Sequence, residues 1–355
     1  MTVPSVERRT AVITGVSGQD GSYLAELLLD KGYIVHGLSR NAASCSSPNL
    51  ASLMAVGAGR LFLHSCDVMD HTSVCSLLRR VRPQEVYNLA AQSHVAMSYK
   101  QPELTAAVSG LGVVNLLEAI QEAGLGDTTR FFEASSCEIF GRASRAPVDE
   151  NSAKHPQTPY GKAKLLGYLA VKHYREACGM YACSGILFNH ESPRRGKSFV
   201  TRKITMAVVN IKLGKEERLS LGNLDAQRDW GHAREYVYCM WLMLQQQIPA
   251  DYVIGSGVNT SVRQFVEMAF ERVGMSIWWE GSSNGVGNHG IINRGSHMGK
   301  TVVTVCIDFF RPIEGEMVAD TSKACTELGW QRTTSLRQLV NEMVDHDMAL
   351  ASTAV

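Results

Sequence analysis

The stretch TAVITGVSGQDGSYLAELLLDKG, residues 10–32, decides the fold. Residues 10–15 form a short β-branched run that is typical of a strand, and residues 22–30 have the apolar spacing of a helix. The chain therefore begins with a strand, a glycine-containing turn and a helix, which is the first unit of an α/β domain.

Three glycines, Gly15, Gly18 and Gly21, lie between this strand and this helix. Glycine permits a tight turn and close approach of the backbone to a pyrophosphate, while the free N–H groups of a helix start attract anions. A purely structural turn is the alternative interpretation. We predict a dinucleotide site whose turn also includes Ser17, Gln19 and Asp20.

The next predicted strand distinguishes NAD from NADP. Its end, HGLSRNAAS (residues 36–44), offers Arg40 and no acid, which suits a 2′-phosphate better than a ribose diol. An exposed loop arginine is the alternative. Asp67, followed by Val68, ends a further strand, where its carboxylate could accept a bond from the adenine amino group or cap a helix. The sequence thus favours NADP.

The same alternation continues through the first half of the chain. Strand-like runs recur with helical patterns between them, which predicts a doubly wound parallel sheet with helices on both faces. The runs are YIVHGL (33–38), RLFLHSCDV (60–68), EVYNLAA (85–91), RFFEASS (130–136) and YACSGILFN (181–189).

After about residue 190 the alternation breaks up, which indicates a smaller second lobe. We expect a Rossmann-type domain at 1–188, joined again by about 229–257, and a smaller C-terminal α/β lobe at 189–228 and 258–345. Residues 281–300 are rich in Gly, Ser and Asn, and the sequence predicts a mobile surface loop there.

Composition excludes several classes of protein. The 35 basic and 34 acidic residues give a net charge of +1, which provides no general attraction for nucleic acid or a membrane surface. We find no signal-like start and no run of about 20 apolar residues. Nine cysteines without a CxxC pair indicate free thiols in a reducing compartment, so we expect a cytoplasmic protein, and we predict no metal site.

A tyrosine and a lysine stand four residues apart in TPYGKAKLLGYLAVKHYREA, residues 158–177. Residues i and i+4 share a helix face, so the ammonium of Lys164 could stabilise a phenolate on Tyr160 and lower its pKa towards neutrality. This spacing is common by chance, but here it follows a glycine turn and a serine-rich strand end. We therefore predict that Tyr160 is a base.

These motifs together resemble the extended short-chain dehydrogenase/reductase family. The matching stretches are TGVSGQDG (14–21), SSCE (135–138) and YGKAK (160–164). Beside Ser136, Tyr160 and Lys164 stands Glu138, an acid that a simple dehydrogenase does not need. Elimination of water from a sugar nucleotide requires removal of a proton beside a new ketone, which such an acid can perform. A solvated loop acid is the alternative.

Longer stretches resemble the GDP-mannose 4,6-dehydratases within that family, over nearly the whole chain. They include ILFNHESPRRG (186–196), FVTRKI (199–204), RLSLGNLDAQRDWGHA (218–233) and FFRPIE (309–314). The resemblance implies oxidation of GDP-mannose at C4 by NADP, loss of water across C5 and C6, and hydride return to C6. It also implies a homo-oligomer, either dimer or tetramer.

The resemblance also implies roles for individual residues. Ser136 occupies a catalytic hydroxyl position, Glu138 is the C5 base, and Tyr160 takes the C4 hydroxyl proton with Lys164 as its partner. Further cofactor contacts are Leu89, Ala90, Ala91, Ser93, His190 and Arg195. The GDP-sugar contacts are Ser98, Asn189, Lys203, Arg228, Arg311 and Glu314, in keeping with the arginines that a pyrophosphate needs and the carboxylate that a guanine edge suits.

The sequence departs from the family pattern at several positions. The loop after Arg40 differs, which leaves dimer and tetramer open, and Ala96 and Leu104 replace a basic residue and a tyrosine. Cys137 stands where a serine is usual. Its thiol could donate a proton to the departing C6 hydroxyl, or it could be a small buried filler, which we favour.

Three functional classes follow. The leading hypothesis is dehydration of GDP-mannose or another GDP-hexose. Cys137 and the altered pocket wall leave epimerisation or a different dehydration of a GDP-sugar as the second. The third is a protein that only binds a GDP-sugar or NADP, although Tyr160 and Glu138 are both retained.

Overall fold

Strands and helices alternate through the first half of the computed structural model, which describes residues 8–40, 47–141, 147–281, 287–310 and 317–353. The strands are β1 (Thr10–Thr14), β2 (Ile34–Ser39), β3 (Leu61–Ser65), β4 (Glu85–Asn88), β5 (Arg130–Ser136), β6 (Ala182–Leu187), β7 (Asn189–Glu191), β8 (Leu219–Leu221), β9 (Gln227–His232), β10 (Tyr252–Ile254), β11 (Asn259–Ser261), β12 (Ser276–Glu280), β13 (His289–Arg294) and β14 (Thr301–Val305).

Helices separate most of these strands. They are α1 (Gln19–Asp30), α2 (Pro48–Val56), α3 (His71–Val81), α4 (Val95–Lys100), α5 (Pro102–Ala106), α6 (Gly112–Glu122), α7 (Pro159–Cys178), α8 (Val200–Lys212), α9 (Ala233–Met243), α10 (Val262–Arg272), α11 (Ser322–Leu328) and α12 (Leu336–Thr353). Ala107–Leu111 form a π-helical turn between α5 and α6, and Cys137–Ile139 and Ile307–Phe309 form 3-10 turns.

Seven parallel strands form the main sheet, in the order β10-β6-β5-β4-β1-β2-β3. This order confirms the predicted doubly wound Rossmann-type fold. It reverses direction beside β1, where the connections leave towards opposite edges of the sheet. In such sheets a crevice opens at the carboxyl ends of the strands at this point, and ligands bind there.

Apolar residues cover both faces of the sheet. On one face α1 and α9 pack over Ile13, Tyr87 and Phe132, and on the other α3, α6 and α7 pack over Val12 and Val86. The alternation follows from the two-residue period of a strand. Both faces are buried, as a parallel sheet requires.

A second lobe has its own apolar core. Helices α8, α10 and α12 pack together with a four-stranded sheet of order β12-β13-β14-β8. A small three-stranded sheet of order β11-β9-β7 adjoins it. The segment from α9 to β10 returns to the first domain, since α9 packs on α1 and β10 extends the main sheet beside β6.

The structure differs from the sequence-based division in two places. Residues 281–300 are not a loop throughout, because β13 pairs with β12 and β14 and buries Gly290 and Ile292. Two adjacent isoleucines, Ile291 and Ile292, are the apolar residues of this strand, which forms because neighbours on both sides offer backbone partners. Helix α11 lies against α9 and β10, so Leu328 packs in the first domain rather than in the second lobe.

One apolar stretch is longer than we expected from the sequence. Residues Pro102–Glu122 are continuously helical and, by length and composition alone, could span a membrane. Within the protein, however, α6 packs against α3 and α7, and Leu116, Leu117 and Ile120 are buried in the core. The stretch therefore has the environment of an interior helix.

Candidate active site

A cavity of about 1050 Å³ opens at the carboxyl ends of the main sheet and extends to the second lobe. Most of the predicted site residues line it. They are Gly15, Ser17, Gly18, Gln19, Asp20, Gly21, Arg40, Val68, Leu89, Ala90, Ala91, Ser93, Ser136, Cys137, Glu138, Tyr160, Lys164, Asn189, His190, Arg195, Lys203 and Arg228.

The glycine turn is shaped for close backbone approach. Gly15 has φ +67°, and a Cβ there would lie 3.0 Å from the backbone of Leu89 and Ala90. A Cβ on Gly21 would lie 2.3 Å from the Gly15 carbonyl oxygen, so α1 can pack against the turn only with glycine there. Helix α1 starts after Gly18, which has no side chain to cap its N–H groups. This cradle fits a pyrophosphate.

The end of β2 presents a cation to the cavity. Arg40 is exposed there, and β2 contains no acid between Ile34 and Ser39. Asp67 does not line the cavity, in contrast to our prediction. Its carboxylate instead accepts a hydrogen bond from the backbone N–H of Met69 at 3.0 Å, in a tight turn after β3, while its neighbours Cys66 and Val68 face the cavity.

A buried ion pair joins the glycine turn to the second lobe. His190 Nε2 lies 2.8 Å from the Asp20 carboxylate, and its Nδ1 bonds the Phe188 carbonyl at 2.7 Å. The imidazole also stacks on Tyr236, with ring centroids 4.5 Å apart. Burial opposes ionisation of both groups, yet their contact raises the pKa of His190 and lowers that of Asp20.

Arg195 approaches the cavity from the segment after β7. Its Nε lies 3.0 Å from a Glu191 carboxylate oxygen, and its guanidinium lies 3.7 Å over the Phe199 ring. These contacts fix the arginine, and Gln19 further ties α1 to the same segment by bonding the His190 carbonyl and the Ser192 hydroxyl. The cofactor side of the cavity is therefore rigidly connected to both lobes.

Tyr160 and Lys164 lie on the first two turns of α7, which starts at the N-cap Thr158. Thr158 accepts a bond from the Gly161 N–H at 2.9 Å, and this cap sets where the helix begins. Tyr160, Lys164 and, at the end of β5, Ser136 are all buried and line the same cavity. The structure thus brings the predicted hydroxyl, phenol and ammonium groups together.

The pKa of Tyr160 shifts in the direction opposite to our prediction. Burial raises it above its usual value, and the Lys164 ammonium lowers it by less than burial raises it. The Lys164 ammonium itself donates to the Glu133 carboxylate at 3.1 Å and the Ala134 carbonyl at 2.6 Å. Burial disfavours its charge, but Glu133 holds the pKa of Lys164 above its usual value.

Glu138 sits in the 3-10 turn directly after β5. Its carboxylate accepts a bond from the Thr158 hydroxyl at 3.3 Å, and its backbone N–H donates to Ser136 Oγ at 3.2 Å. A Cβ on Gly161 would lie 2.5 Å from the Glu138 carbonyl oxygen, so glycine lets α7 lie directly against this turn. Thr158 therefore contacts the acid as well as capping the helix, a role that the sequence reading missed although Thr-Pro is a common helix start.

Cys137 lines the cavity and also belongs to the apolar cluster beside it. It is 7% exposed and packs in a cluster with Ile139, Phe140, Tyr168 and Ile186. Burial, together with the Glu138 carboxylate, raises the pKa of Cys137 far above its usual value. A thiol in this environment is a very weak acid.

The second lobe supplies polar groups to the other end of the cavity. Lys203 donates to the Ser220 carbonyl at 2.7 Å and lies 4.1 Å over the ring of Phe309, and burial lowers its pKa. Arg228 donates to the Gln227 carbonyl at 2.6 Å. The aromatic wall formed by Phe309 was not predicted, because a lone aromatic residue carries no sequence signal for a site.

One predicted substrate residue of the described part of the chain, Ser98, does not line the cavity. Ser98 is fully buried, and its hydroxyl donates to the Val95 carbonyl at 2.7 Å within α4, which satisfies it locally. Arg311 and Glu314 lie outside the described residues. Among the departures from the family pattern, Ala96 lines the cavity and Leu104 is 41% exposed.

A separate cluster of possible metal ligands lies between α3 and α6. His71, Cys75 and Glu122 place their ligand atoms within 4.8 Å of one another. Hydrogen bonds among these side chains, and from His71 to Asn115 at 2.7 Å, account for the arrangement. The cluster is not part of the cavity wall.

Comparison with known proteins relates this cavity to one group of enzymes. A sequence model described as GDP-mannose 4,6 dehydratase matches residues 12–343. The GDP-mannose 4,6-dehydratase of Sinorhizobium fredii (strain HH103) is 50% identical over 349 residues, 97% of each chain. The GDP-mannose 4,6 dehydratase of Homo sapiens is 45% identical over 351 residues, 98% of this chain and 93% of that protein.

Solved structures show the same fold at lower identity. RMD from Pseudomonas aeruginosa complexed with NADPH has a TM-score of 0.75 at 20% identity, covering 96% of this chain and 99% of that one. UDP-glucose 4-epimerase from Thermotoga maritima has a TM-score of 0.78 at 20% identity, covering 98% and 100%. The sequence relatives, rather than these structures, distinguish dehydration from epimerisation.

Proposed function

The chain belongs to the GDP-mannose 4,6-dehydratase family, and we propose that it converts GDP-mannose into GDP-4-dehydro-6-deoxymannose with NADP as its cofactor. The observation that carries this proposal is the position of Glu138, whose carboxylate lines the same cavity as the Ser136, Tyr160 and Lys164 side chains. That set contains a base for oxidation and a second base for elimination.

The chain's own residues fit NADP. The glycine cradle at Gly15 and Gly21 accepts a pyrophosphate, and the exposed Arg40 at the end of β2 suits a 2′-phosphate. His190 and Arg195 complete the wall on the opposite side. NADP bound in this cradle would supply the hydride acceptor for C4 and the hydride donor for C6, and its oxidised ring would add a positive charge beside Tyr160.

Oxidation at C4 begins at Tyr160. The phenolate takes the C4 hydroxyl proton, Ser136 orients the two oxygens by hydrogen bonding, and Lys164 stabilises the phenolate by its charge. Burial raises the pKa of Tyr160 despite Lys164, so a further positive charge nearby would favour the phenolate.

Elimination then depends on Glu138. The C4 ketone acidifies the C5 proton, which the Glu138 carboxylate removes, and the carboxylic acid so formed can return that proton to the C6 hydroxyl as water leaves. Glu138, reprotonated from solvent, then supplies the proton that C5 takes up as C6 gains the hydride, and the C4 hydroxyl proton taken by Tyr160 goes to solvent, so atoms and charges balance. We therefore assign Cys137 a packing role, in agreement with its apolar surroundings.

The GDP moiety is assigned to the second lobe. Lys203 and Arg228 provide cations for the diphosphate, and Asn189 and the Phe309 ring lie on the same wall. Arg311 and Glu314 remain proposed contacts to the pyrophosphate and guanine on sequence grounds. In sequence they follow Phe310, which lines the cavity, by one and four residues.

We place the enzyme in the cytoplasm as a homo-oligomer, and we assign no nucleic-acid, membrane or metal partner. The free thiols at all eight described cysteines support a reducing compartment. Exposed leucines on adjoining elements support self-association: Leu111 is 50%, Leu166 40% and Leu169 51% exposed.

The proposed function is tested by incubating the purified protein with GDP-mannose and NADP and following the nucleotide sugar by mass spectrometry. We expect a product that has lost one water. Glu138→Gln keeps the side-chain shape and removes the base, so we expect a loss of at least about a hundredfold. Full activity of that variant, or an unchanged sugar with the wild type, contradicts the assignment.

A further inference from the structure

The charge partner of Lys164 is itself an ionisable side chain in the core. Glu133 is fully buried on β5, and its Oε1 accepts the 3.1 Å bond from the Lys164 ammonium, which is 2% exposed. Of the three N–H groups of that ammonium, one bonds Glu133 and one bonds the Ala134 carbonyl, which leaves the third for the cavity. Glu133 thus contacts Lys164 from the side away from the substrate.

A row of polar residues in register across three strands continues from Glu133. Thr14 on β1 pairs with Asn88 on β4, which pairs with Glu133 on β5. The Asn88 amide donates to Glu133 Oε2 at 2.6 Å, and its carbonyl accepts from the Thr14 hydroxyl at 2.6 Å. All three side chains are buried, although the same face of the sheet is apolar farther from its carboxyl edge.

These hydrogen bonds point donors at both oxygens of Glu133. The Thr14 hydroxyl accepts from the backbone N–H groups of Leu89 and Ala90 at 3.0 Å each, so it donates onward to Asn88, whose amide then points its N–H at Glu133. Donors therefore face both oxygens of Glu133. Both oxygens of a carboxylate accept from these donors, whereas a glutamine at position 133 would turn an N–H group towards one of the two donors.

We propose that Glu133 is a positioning residue for the reaction: its carboxylate holds the Lys164 ammonium in one orientation and offsets part of the positive charge that Lys164 presents to Tyr160. The inference rests on the proposed role of Tyr160 as a base. Charged and titratable groups facing Tyr160 are Lys164, Glu138 and Cys137, and those facing Lys164 are Glu133 and Tyr160.

Glu133→Gln removes the negative charge of this side chain and keeps its size and shape. Removal of a buried negative charge beside Lys164 leaves more of the positive charge acting on Tyr160, which favours the phenolate. We expect the acid limb of the pH profile of kcat to move down by about one pH unit. Tyr160 can also be titrated directly without substrate, as the tyrosinate absorbance of a protein minus that of the same protein carrying Tyr160→Phe. We expect this difference absorbance to titrate at lower pH in Glu133→Gln than in the wild type, by a similar amount.

Two further variants control for loss of structure. Glu133→Asp keeps the charge but is too short to reach both partners, so we expect lower kcat without a downward shift of the acid limb. Ser184 lies in register with Glu133 on β6, is fully buried and has no hydrogen-bond partner for its Oγ. We expect Ser184→Ala to leave the profile at its wild-type position.

An acid limb and a Tyr160 titration that are both unchanged in Glu133→Gln would overturn the inference. So would a downward shift of equal size in Glu133→Asp, because the effect would then follow from disturbed packing. If the wild type fails to dehydrate GDP-mannose, the proposed function is wrong, yet the absorbance titration still reports whether Glu133 controls Tyr160.

Discussion

Cys137 and Glu138 are adjacent in sequence but belong to different environments. The 3-10 turn after β5 directs Cys137 into an apolar cluster and Glu138 towards Thr158 and the cavity. Because burial raises the pKa of Cys137 far above its usual value, its thiol is a poor proton donor at neutral pH. We expect Cys137→Ser to retain kcat within about threefold, since a catalytic acid accounts for at least about a hundredfold.

Steady-state turnover of GDP-mannose by folded Cys137→Ser checks this expectation, with Glu138→Gln as the inactive reference. A hundredfold fall for Cys137→Ser, with an unchanged melting temperature, would give the thiol a place in the chemistry.

Sequence alone predicted which side chains would meet at the cavity but not all of their properties. The spacing of Tyr160 and Lys164 places them correctly because i and i+4 share a helix face. The pKa of Tyr160 depends on burial, and Lys164 is held by Glu133, which is thirty-one residues away in sequence; local spacing contains no information about either. Ser98 was misplaced for the same reason, since burial within α4 decides its partner.

At the scale of elements, the Asp20–His190 ion pair connects α1 to β7 and should make stability depend on pH. His190 has a raised pKa in the folded protein, so its contribution is complete below its ordinary value of 6.5 and falls as the pH rises through the folded pKa. Asp20 has a lowered pKa, so its contribution is complete above 3.8 and falls as the pH drops further. The pair should stabilise most between these values.

Chemical denaturation of wild type, Asp20→Asn, His190→Asn and the double variant at several pH values measures this coupling. We expect the interaction free energy to be largest between about pH 4 and 6.5 and to shrink above that range. A coupling that grows above pH 7 would contradict the ion pair.

The contact between α7 and the Glu138 turn depends on Gly161. An alanine Cβ would lie 2.5 Å from the Glu138 carbonyl oxygen, and backbone cannot yield as a flexible side chain can. We expect Gly161→Ala to cost about 1–3 kcal/mol of unfolding free energy and to lower kcat at least about tenfold by displacing Glu138.

Gly167→Ala on the same helix provides the matched control. Its Cβ would lie 2.9 Å from a methyl carbon of Val113, far from the acid, so we expect loss of stability with kcat retained. Equal kcat in the two variants, measured on folded protein, would show that Gly161 does not position the turn.

Element boundaries show where sequence patterns reach their limit. The β-branched runs of the main sheet were predicted because strands buried on both faces are continuously apolar. Strand β13 was missed because its glycines and polar residues resemble a loop, and only pairing with β12 and β14 makes it a strand. Helix α11 likewise follows the second lobe in sequence but packs on the first domain.

At the scale of the whole molecule, an exposed apolar face predicts self-association. Leu166 and Leu169 lie on one face of α7 beside the π-helical turn that contains Leu111, and all three are at least 40% exposed. We expect the wild type to have the mass of a dimer or tetramer in size-exclusion chromatography with light scattering. Leu166→Glu/Leu169→Glu should lower that mass, because a buried unpaired charge is costly.

The matched control is Ile248→Glu, which changes an apolar residue that is 77% exposed elsewhere on the surface. We expect it to keep the wild-type mass. A wild-type monomer, or an unchanged mass for the double variant, would rule out this face as the interface.

The overall architecture was largely predictable from sequence because the first forty residues already determine the topology around the site. A strand, the turn at Gly15 and helix α1 place the cofactor cradle, and successive βα units add strands on either side of β1. For the second lobe the sequence predicted approximate residue ranges but no individual strands, because its short strands pair with partners far away in sequence. Its aromatic wall at Phe309 depends on that tertiary pairing.

The most direct test of the central claim is turnover of GDP-mannose in deuterated water, followed by mass spectrometry of the nucleotide sugar. If Glu138 removes the C5 proton and water leaves from C6, the product lacks one water and carries one solvent deuterium at C5, because the hydrogen gained at C6 comes from C4. A sugar that gains deuterium without losing water would contradict dehydration and indicate epimerisation, and a sugar unchanged in mass would contradict the enzymatic assignment altogether.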